Sequence, residues 1–339
     1  MLDSLQSRST LASHHRDACF AVRSRGSLVG VSTRDLSRRR PSMGRVGGMV
    51  AQTRPEMQVD DDLLALEEQA RPFRALYDHW ERTQWSANAI DYRTDVASFR
   101  ALDADGQRAL IWIFGHRFHA EFSVATLLAP FILAAPSYEM QLVLATQIAD
   151  EYRHMQCVLR VYEEVFGIRG GVNVVRRVAD EHTDPVATMF YERFEAVVGE
   201  LNHARDEDTF LRAVMAYHLI AEGVVARTAQ NLAGDQYPQL GDFPGLKEGQ
   251  RLVSRDEARH IGIGVSYARQ RLAEDPERAR AVIAGGLEEY ARIAAQGLAM
   301  VGDDLDSVVQ RGYGVGADAF YGEMMRLMEV RLRSIGYLG

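Results

Sequence analysis

The sequence predicts an all-α fold, a bundle of long helices that forms one domain. Three observations indicate this fold. Apolar residues recur at helical spacing from about residue 60 onward, turn-forming residues separate these stretches, and the alternation typical of strands is nearly absent. The longest predicted helices have about 25–30 residues and would span ~40 Å, a length that is usual in large bundles.

The first long helix is indicated by apolar residues three and four positions apart, which are Leu110, Ile113, Phe114, Phe118, Phe122 and Ala125. Pro130 and Pro136 predict a break or kink near its end, because proline lacks the backbone N–H that a helix interior needs. Ser137 is the predicted N-cap of the next helix, which runs to Gly167.

The rest of the chain shows further helix starts and stops. The pairs Asp184–Pro185 and Asp275–Pro276 each place an N-cap residue before a proline in the first helical position. Further helices are predicted at about 206–232, 245–272, 276–301 and 317–335. Glycines stand between or beside these helices, at Gly234, Gly302 and Gly316.

The N-terminal segment has a different composition from the rest. Its first fifty residues hold nine arginines against three aspartates, many serines and no apolar periodicity. We interpret residues 1–57 as a disordered tail or an over-extended gene start. An organelle transit peptide is the alternative, because such peptides are also rich in arginine and serine and poor in acidic residues. Residues 58–339 are predicted to form the single helical domain.

Composition excludes several classes of protein. A net charge of -8 argues against nucleic acid as a partner, because no strongly basic stripe is available. No uninterrupted apolar run reaches the ~18 residues expected of a membrane span. The two cysteines, Cys19 and Cys157, suggest no disulfide framework, so we expect a cytoplasmic protein.

One pentapeptide pattern occurs twice and is the strongest signal in the sequence. Residues 150–154 read Asp-Glu-Tyr-Arg-His, and residues 256–260 read Asp-Glu-Ala-Arg-His. A lone glutamate in an apolar stretch precedes each copy, Glu121 by about 30 residues and Glu222 by about 35. A separation of this size is expected between residues at the same level of two consecutive antiparallel helices. Four helices can therefore direct these side chains toward a common centre.

The spacing within each copy predicts metal binding. Glu and His three positions apart lie on one face of a helix, so Glu151 with His154, and Glu257 with His260, each offer one oxygen and one nitrogen. Together with the two lone glutamates, they match the di-iron and di-manganese sites of ferritin-like bundles. The sequence therefore predicts a carboxylate-bridged dinuclear metal site.

Charge and ligand chemistry favour manganese or iron. Four buried glutamates would cost several kcal/mol each if unpaired, whereas two divalent cations balance their charge. Coordination rich in oxygen and free of thiolate suits manganese or iron better than zinc or copper(I). Asp150 and Asp256, which precede the glutamates of the repeat, are predicted to accept the free N–H of a histidine ligand.

A third Glu-x-x-His stands at Glu200 and His203. It has no preceding aspartate and runs into the acidic stretch 206–208 at a helix end. We interpret this copy as a solvent-exposed face rather than a metal site.

With these residues placed, the chain resembles the ribonucleotide reductase small-subunit superfamily, and more closely its ligand-binding oxidases, over residues 75–272. The segments that carry the resemblance are Trp85–Tyr92, Glu121–Val124, Asp150–His154, Tyr217–Val224, Phe243–Gly245 and Arg255–Ile261. One departure is Phe122, where the family usually has a second glutamate. The segment 168–210 matches only loosely.

The resemblance implies an oxidase that activates dioxygen at a manganese/iron or di-iron centre and oxidises a C–H bond of a bound long-chain fatty-acid-like ligand. It implies two ligand sets with some bridging glutamates, one set being Glu121, Glu151 and His154, and the other Glu222, Glu257 and His260. It also implies an ether cross-link between Val124 and Tyr217, formed when the reduced metals activate dioxygen. Relatives of this fold are commonly homodimers.

Two other functions stay open at this point. One is a ribonucleotide reductase small subunit, although radical-carrying members have a tyrosine at the position of Val158. Such a subunit also needs a tyrosine on a flexible tail, and Tyr337 lies only a few residues beyond the last predicted helix. The other is a non-catalytic iron-binding protein.

Overall fold

The computed structural model describes residues 61–182, 185–301, 310 and 313–338, with the backbone alone at 61–63, 185–186, 233–239 and 297–301. The predicted N-terminal tail, residues 1–57, lies outside the described residues. Every regular element in the described part of the chain is helical. The all-α prediction is therefore confirmed.

Twelve α-helices make up most of the described chain: α1 (Asp61–Glu68), α2 (Phe73–Arg82), α3 (Arg93–Ala101), α4 (Ala104–Ala134), α5 (Tyr138–Arg160), α6 (Val172–Asp180), α7 (Pro185–Gly199), α8 (Glu207–Val214), α9 (Arg227–Leu240), α10 (Pro244–Glu274), α11 (Pro276–Val301) and α12 (Ala317–Ser334). Two stretches of wider, π-helical turns continue these helices. The first π segment, Val161–Val165, follows α5, and the second π segment, Met215–Ala226, joins α8 to α9.

Polar side chains cap the helices that carry the site. Asp103 and Ser137 accept hydrogen bonds from first-turn N–H groups of α4 and α5, at 2.8 and 3.1 Å, as predicted for Ser137. The start of α10 is capped from α3, where the buried Asp95 accepts from the backbone N–H groups of Gly245 and Leu246 at 2.9 and 2.8 Å. Because the first N–H groups of a helix lack partners within the helix, Asp95 fixes the start of α10 against α3.

One predicted helix end agrees with the structure and one is wrong. α4 ends at Ala134, between Pro130 and Pro136, and it continues past Pro130 since only one hydrogen bond near the end is lost and Phe131 and Ala134 are buried behind it. The helix predicted to end at 232 continues through Gly234 to Leu240, because one glycine costs a helix only about 1 kcal/mol. Asp184 lies outside the described residues.

Two apolar clusters fill the interior and meet at the level of the predicted site. One cluster includes Phe131 and Tyr217, and the other includes Phe118 and Val158. Glu121 lies between Phe118 and Phe131 on α4, so the acidic side chains separate the two clusters along the bundle. This packing keeps the predicted site away from solvent.

One helical stretch, Glu207–Leu232, is long and apolar enough to cross a membrane by length and composition alone. In the fold, 78% of its apolar window is buried. Burial on all sides is typical of the core helix of a large bundle.

Candidate metal centre

The six predicted ligands come from four helical elements and converge. Glu121 lies on α4, Glu151 and His154 on α5, Glu222 in the second π segment, and Glu257 and His260 on α10. All six are buried, and no residue among them is more than 7% exposed. The six side chains that the sequence predicted to converge therefore lie together in the structure.

The six residues form two overlapping groups of four. One group is Glu121, Glu151, His154 and Glu257, and the other is Glu151, Glu222, Glu257 and His260, with ligand atoms within 4.8 Å of one another in each. Glu151 and Glu257 belong to both groups. This geometry identifies them as the carboxylates able to bridge two cations, a point that the sequence left open.

Both histidine rings direct Nδ1 toward the carboxylates. His154 Nδ1 lies 3.4 Å from Glu151 Oε2 and 3.5 Å from Glu257 Oε1, and His260 Nδ1 lies 3.2 Å from Glu151 Oε1. Among the described residues, these two nitrogens and the oxygens Glu222 Oε2 and Glu257 Oε2 have no hydrogen-bond partner. Each such buried atom costs about 1–3 kcal/mol when left without a partner. Inward-facing nitrogen and oxygen atoms of this kind fit a pair of metal ions.

The aspartates of the repeat hold the histidines in a crossed arrangement. Asp256 lies 3.2 Å from Nε2 of His154, and Asp150 lies 3.2 Å from Nε2 of His260. Each copy of the repeat therefore supplies the hydrogen-bond partner for the histidine of the other copy. When a neutral ring donates Nε2–H to the aspartate, its Nδ1 lone pair is left for a metal.

Four side chains to which the sequence analysis assigned no role surround these aspartates. Trp80 and Trp85 donate their indole N–H groups to Asp150 and Asp256, at 2.8 and 2.7 Å. The arginine of each repeat also donates to these aspartates. Arg259 donates to Asp150 at 2.6 Å. Arg153 donates to Asp150 and, at 2.8 Å, to Asp256. The repeated arginine was a sequence signal for this role, whereas the tryptophans carried no comparable local signal.

Gln147 fixes the carboxylates on the side of Glu222. Its amide N–H donates to Glu222 Oε1 at 2.9 Å and to Glu151 Oε1 at 3.4 Å. Its carbonyl oxygen lies 3.0 Å from Nε2 of His218. Burial lowers the pKa of His218 to about 3, so this ring is neutral and donates its N–H to Gln147.

Tyr217 lies at the same centre. Its hydroxyl donates to Glu151 Oε1 at 3.2 Å, and the residue is fully buried. Val124 is partly buried and packs against the apolar cluster that contains Tyr217. Tyr217 and Glu222 are five residues apart, a poor match for one face of a straight helix, but π-helical turns bring positions five apart to the same side.

The metal-free centre holds protons. Burial raises the pKa of Glu121 to about 7, and burial also raises the pKa of Glu222. Burial opposes the charge of His154 and His260, but the carboxylates of Glu121 and Glu151 outweigh it, and the pKa of each ring lies well above its ordinary value. Cations that enter the centre would displace these protons.

The third Glu-x-x-His lies elsewhere. Glu200 stands in a short 3-10 turn after α7, and both Glu200 and His203 are exposed. Glu200 forms an ion pair with Arg212. The two residues are therefore part of the solvent-exposed surface.

No family model matches the chain. Its fold is that of the R2-like ligand-binding oxidases, as the sequence resemblance predicted. A variant of such an oxidase with anaerobically reconstituted Mn/Fe cofactor superposes with a TM-score of 0.68 and 21% identity, over 79% of this chain and 94% of its own. The R2-like ligand-binding oxidase from Sulfolobus acidocaldarius superposes with a TM-score of 0.64 and 21% identity, over 78% of this chain and 90% of its own.

A second variant, with aerobically reconstituted Mn/Fe cofactor, gives the same TM-score of 0.68 at 21% identity, over 79% of this chain and 94% of its own. Similar structures therefore carry Mn/Fe cofactors, and this chain has buried glutamate and histidine groups able to hold a dinuclear metal site.

Proposed function

We propose that this protein is an oxidase that activates dioxygen at a manganese/iron or di-iron centre and oxidises a C–H bond of a bound long-chain apolar ligand. The observation that carries the proposal is the pair of overlapping four-residue groups with inward-facing, unpartnered nitrogen and oxygen atoms. The Mn/Fe cofactors of similar structures support the choice of metals.

The proposed ligand sets follow from the two groups. Glu121 and His154 would hold one cation, Glu222 and His260 the other, and Glu151 and Glu257 would bind both. When bound, the two metal ions would supply the electrons that reduce dioxygen.

The surrounding residues have three tasks in this proposal. Asp150 and Asp256 orient the histidine rings, while Gln147 and the Tyr217 hydroxyl hold carboxylate oxygens in place. The apolar clusters on both sides exclude water, which strengthens every electrostatic interaction in the centre. Apolar walls also suit a hydrophobic ligand, which supports a fatty-acid-like substrate.

The proposal includes the Tyr217–Val124 ether as a product of dioxygen activation. Complete burial of Tyr217 and its hydrogen bond to Glu151 support this assignment. After aerobic loading with iron and manganese, peptide mass spectrometry should find the peptides of Val124 and Tyr217 joined, with two hydrogens lost. Separate, unmodified peptides would remove the cross-link from the proposal and leave the metal centre intact.

The metal centre is tested by loading the metal-free protein with iron(II) and manganese(II) in air. Anomalous diffraction at the two metal edges should give one peak near His154 and one near His260, and an oxygen electrode should record dioxygen uptake. Loading without dioxygen uptake would refute the oxidase, and growth of an iron mineral would favour a non-catalytic iron-binding protein. The cytoplasmic location and the homodimer remain parts of this proposal.

A further inference from the structure

A small cavity borders the predicted site on the side of Glu121 and His154. Its volume is about 20 Å³, and its wall also includes Cys157, Val158 and Gln250. A cavity of about 10–15 Å³ already holds one water-sized group. The cavity therefore has room for one added oxygen atom in a space lined by a thiol and two predicted metal ligands.

Cys157 follows His154 by three residues, so both lie on the same face of α5. The residue is 6% exposed. Burial raises the pKa of its thiol to about 11, so the sulfur is protonated at neutral pH. A buried, protonated thiol reacts poorly with oxidants in bulk solvent, which attack exposed thiolates.

Gln250 gives the second, independent indication. Its side-chain N–H donates to Ser254 Oγ at 2.9 Å, while its Oε1 has no hydrogen-bond partner among the described residues. The residue is only 8% exposed. An unpartnered acceptor in the wall of a cavity calls for a donor inside it. A sulfenic acid on Cys157, which lines the same cavity, would supply that donor as S–O–H.

We propose that Cys157 is an internal oxidation site, at which one oxygen atom of dioxygen activated at the metal centre is inserted to give a sulfenic acid whose O–H donates to Gln250 Oε1. This inference rests on the proposed function, because the centre must activate dioxygen. The size of the Val158 side chain matters for this oxidation, since a larger side chain at this position would fill the space that the oxygen atom needs.

The electrons and atoms of the step balance. Dioxygen would take up four electrons, two from the thiol sulfur and two that a pair of bound divalent metal ions would supply, one from each ion. One oxygen atom enters the S–H bond and forms S–O–H. The other takes two protons from solvent and leaves as water.

The test uses the full chain, loaded with iron(II) and manganese(II) under isotopically heavy dioxygen. Dioxygen uptake is recorded, and the digested protein is analysed by mass spectrometry, with a sulfenic-acid trap added to a parallel sample. We expect the Cys157 peptide to gain one heavy oxygen, or two where oxidation continues to sulfinic acid. The Cys19 peptide and metal-free protein should gain none.

Matched variants probe the cavity. Val158→Leu should bind the usual amount of metal but lower the labelled fraction of Cys157 several-fold. Val143→Leu, the same change elsewhere on α5 in the other apolar cluster, should not lower it. Gln250→Leu should lower the trapped sulfenic fraction several-fold, because the S–O–H group loses its acceptor.

Three outcomes would overturn the inference. Dioxygen uptake with an unmodified Cys157 peptide would refute it and leave the proposed function standing. Equal labelling of Cys19 and Cys157 would point to a diffusing oxidant and refute it as well. Bound metals without dioxygen uptake would refute this inference and the proposed function together.

Discussion

Glu151 and Glu257 connect the two four-residue groups of the predicted metal centre. Each belongs to both four-residue groups, whereas Glu121 and Glu222 each belong to one. We expect Glu151→Ala to abolish binding of both metal ions and Glu222→Ala to leave about one ion per chain, because one set of ligands survives. Elemental analysis of the purified variants measures the difference.

Glu200→Ala is the matched control for these variants. Glu200 has the same Glu-x-x-His spacing, but it is exposed and paired with Arg212. Its variant should bind as much metal as the unchanged protein. Equal metal loss in the Glu151 and Glu222 variants would contradict the shared position of Glu151.

The protonated state of Glu121 makes metal binding pH dependent. Its pKa is about 7, so the carboxyl is neutral at lower pH and must ionise before it binds a cation. Metal affinity should therefore rise with pH through this value, and loading should release protons into solution. Competition titrations against a chelator on both sides of neutrality, with a pH indicator, measure both effects. An affinity that falls as pH rises would contradict the assignment.

Local spacing carried most of the information about the centre. Positions three apart share a helix face, and this spacing predicted the two Glu–His pairs. Glu121 and Glu222 were predicted because each interrupts an apolar stretch one helix upstream of a pair. The spacing did not predict that Asp150 faces His260 rather than His154, because the packing of α5 on α10 decides this across 110 residues. Gln147 was missed for the same reason, since its partner Glu222 is 75 residues away.

At the scale of elements, the second π segment is the feature that the sequence concealed. Nearly every residue of Met215–Ala226 is apolar or small. The hydrophobic pattern therefore shows no periodicity, and it cannot distinguish a π-helical turn from an α-helical turn. On a straight helix, Tyr217 and Glu222 would point about 140° apart. The wider turns bring both toward the centre.

This segment packs closely on α10, and Gly264 makes the contact possible. A Cβ at this position would lie 2.4 Å from Cβ of His218. Gly264→Ala should therefore push the two elements apart and lower the free energy of unfolding by about 1–3 kcal/mol. Urea denaturation of the metal-free protein measures this change.

Gly286→Ala serves as the control within a helix. A Cβ at Gly286 of α11 would meet no described atom within 4 Å. Alanine should therefore stabilise the helix, by about 0.5–1 kcal/mol. Stabilisation by both alanines would show that α10 and the second π segment are not in close contact.

At the scale of the whole molecule, one buried carboxylate joins distant parts of the chain. Glu67 on α1 forms ion pairs with Arg331 on α12 and with Arg227 at the start of α9. Arg331 also donates to the Gly223 carbonyl at 3.2 Å, beside Glu222. The first and last described helices are thereby connected to the element that carries a predicted ligand.

Glu67→Gln should destabilise the fold strongly. It removes the charged ion-pair partner of two buried guanidinium groups, which costs about 3–5 kcal/mol. Glu329→Gln, which breaks an exposed pair with Arg333, should cost about 0.5 kcal/mol or less. Thermal and urea unfolding compare the two variants, and similar losses would argue against a structural role for Glu67.

The architecture as a whole was more predictable than its internal connections. Long amphipathic stretches and caps such as Ser137 indicated an all-α bundle because each acts over a few residues. Pairings such as that of Glu67 with Arg331 span 264 residues and leave no trace in local pattern. Hence the helices could be predicted, while the contacts that hold them in register could not.

The crossed pairing of Asp150 with His260 and of Asp256 with His154 has a consequence for how the protein is made. Neither histidine has its orienting partner until α5 and α10 have both been synthesised and have met. A nascent chain that has emerged only as far as α5 offers one unoriented histidine and too few ligands to retain a metal ion. In the proposed function, the two cations would therefore enter only after α10 has been made, and metal supply from that point on would decide which protein molecules bind metal.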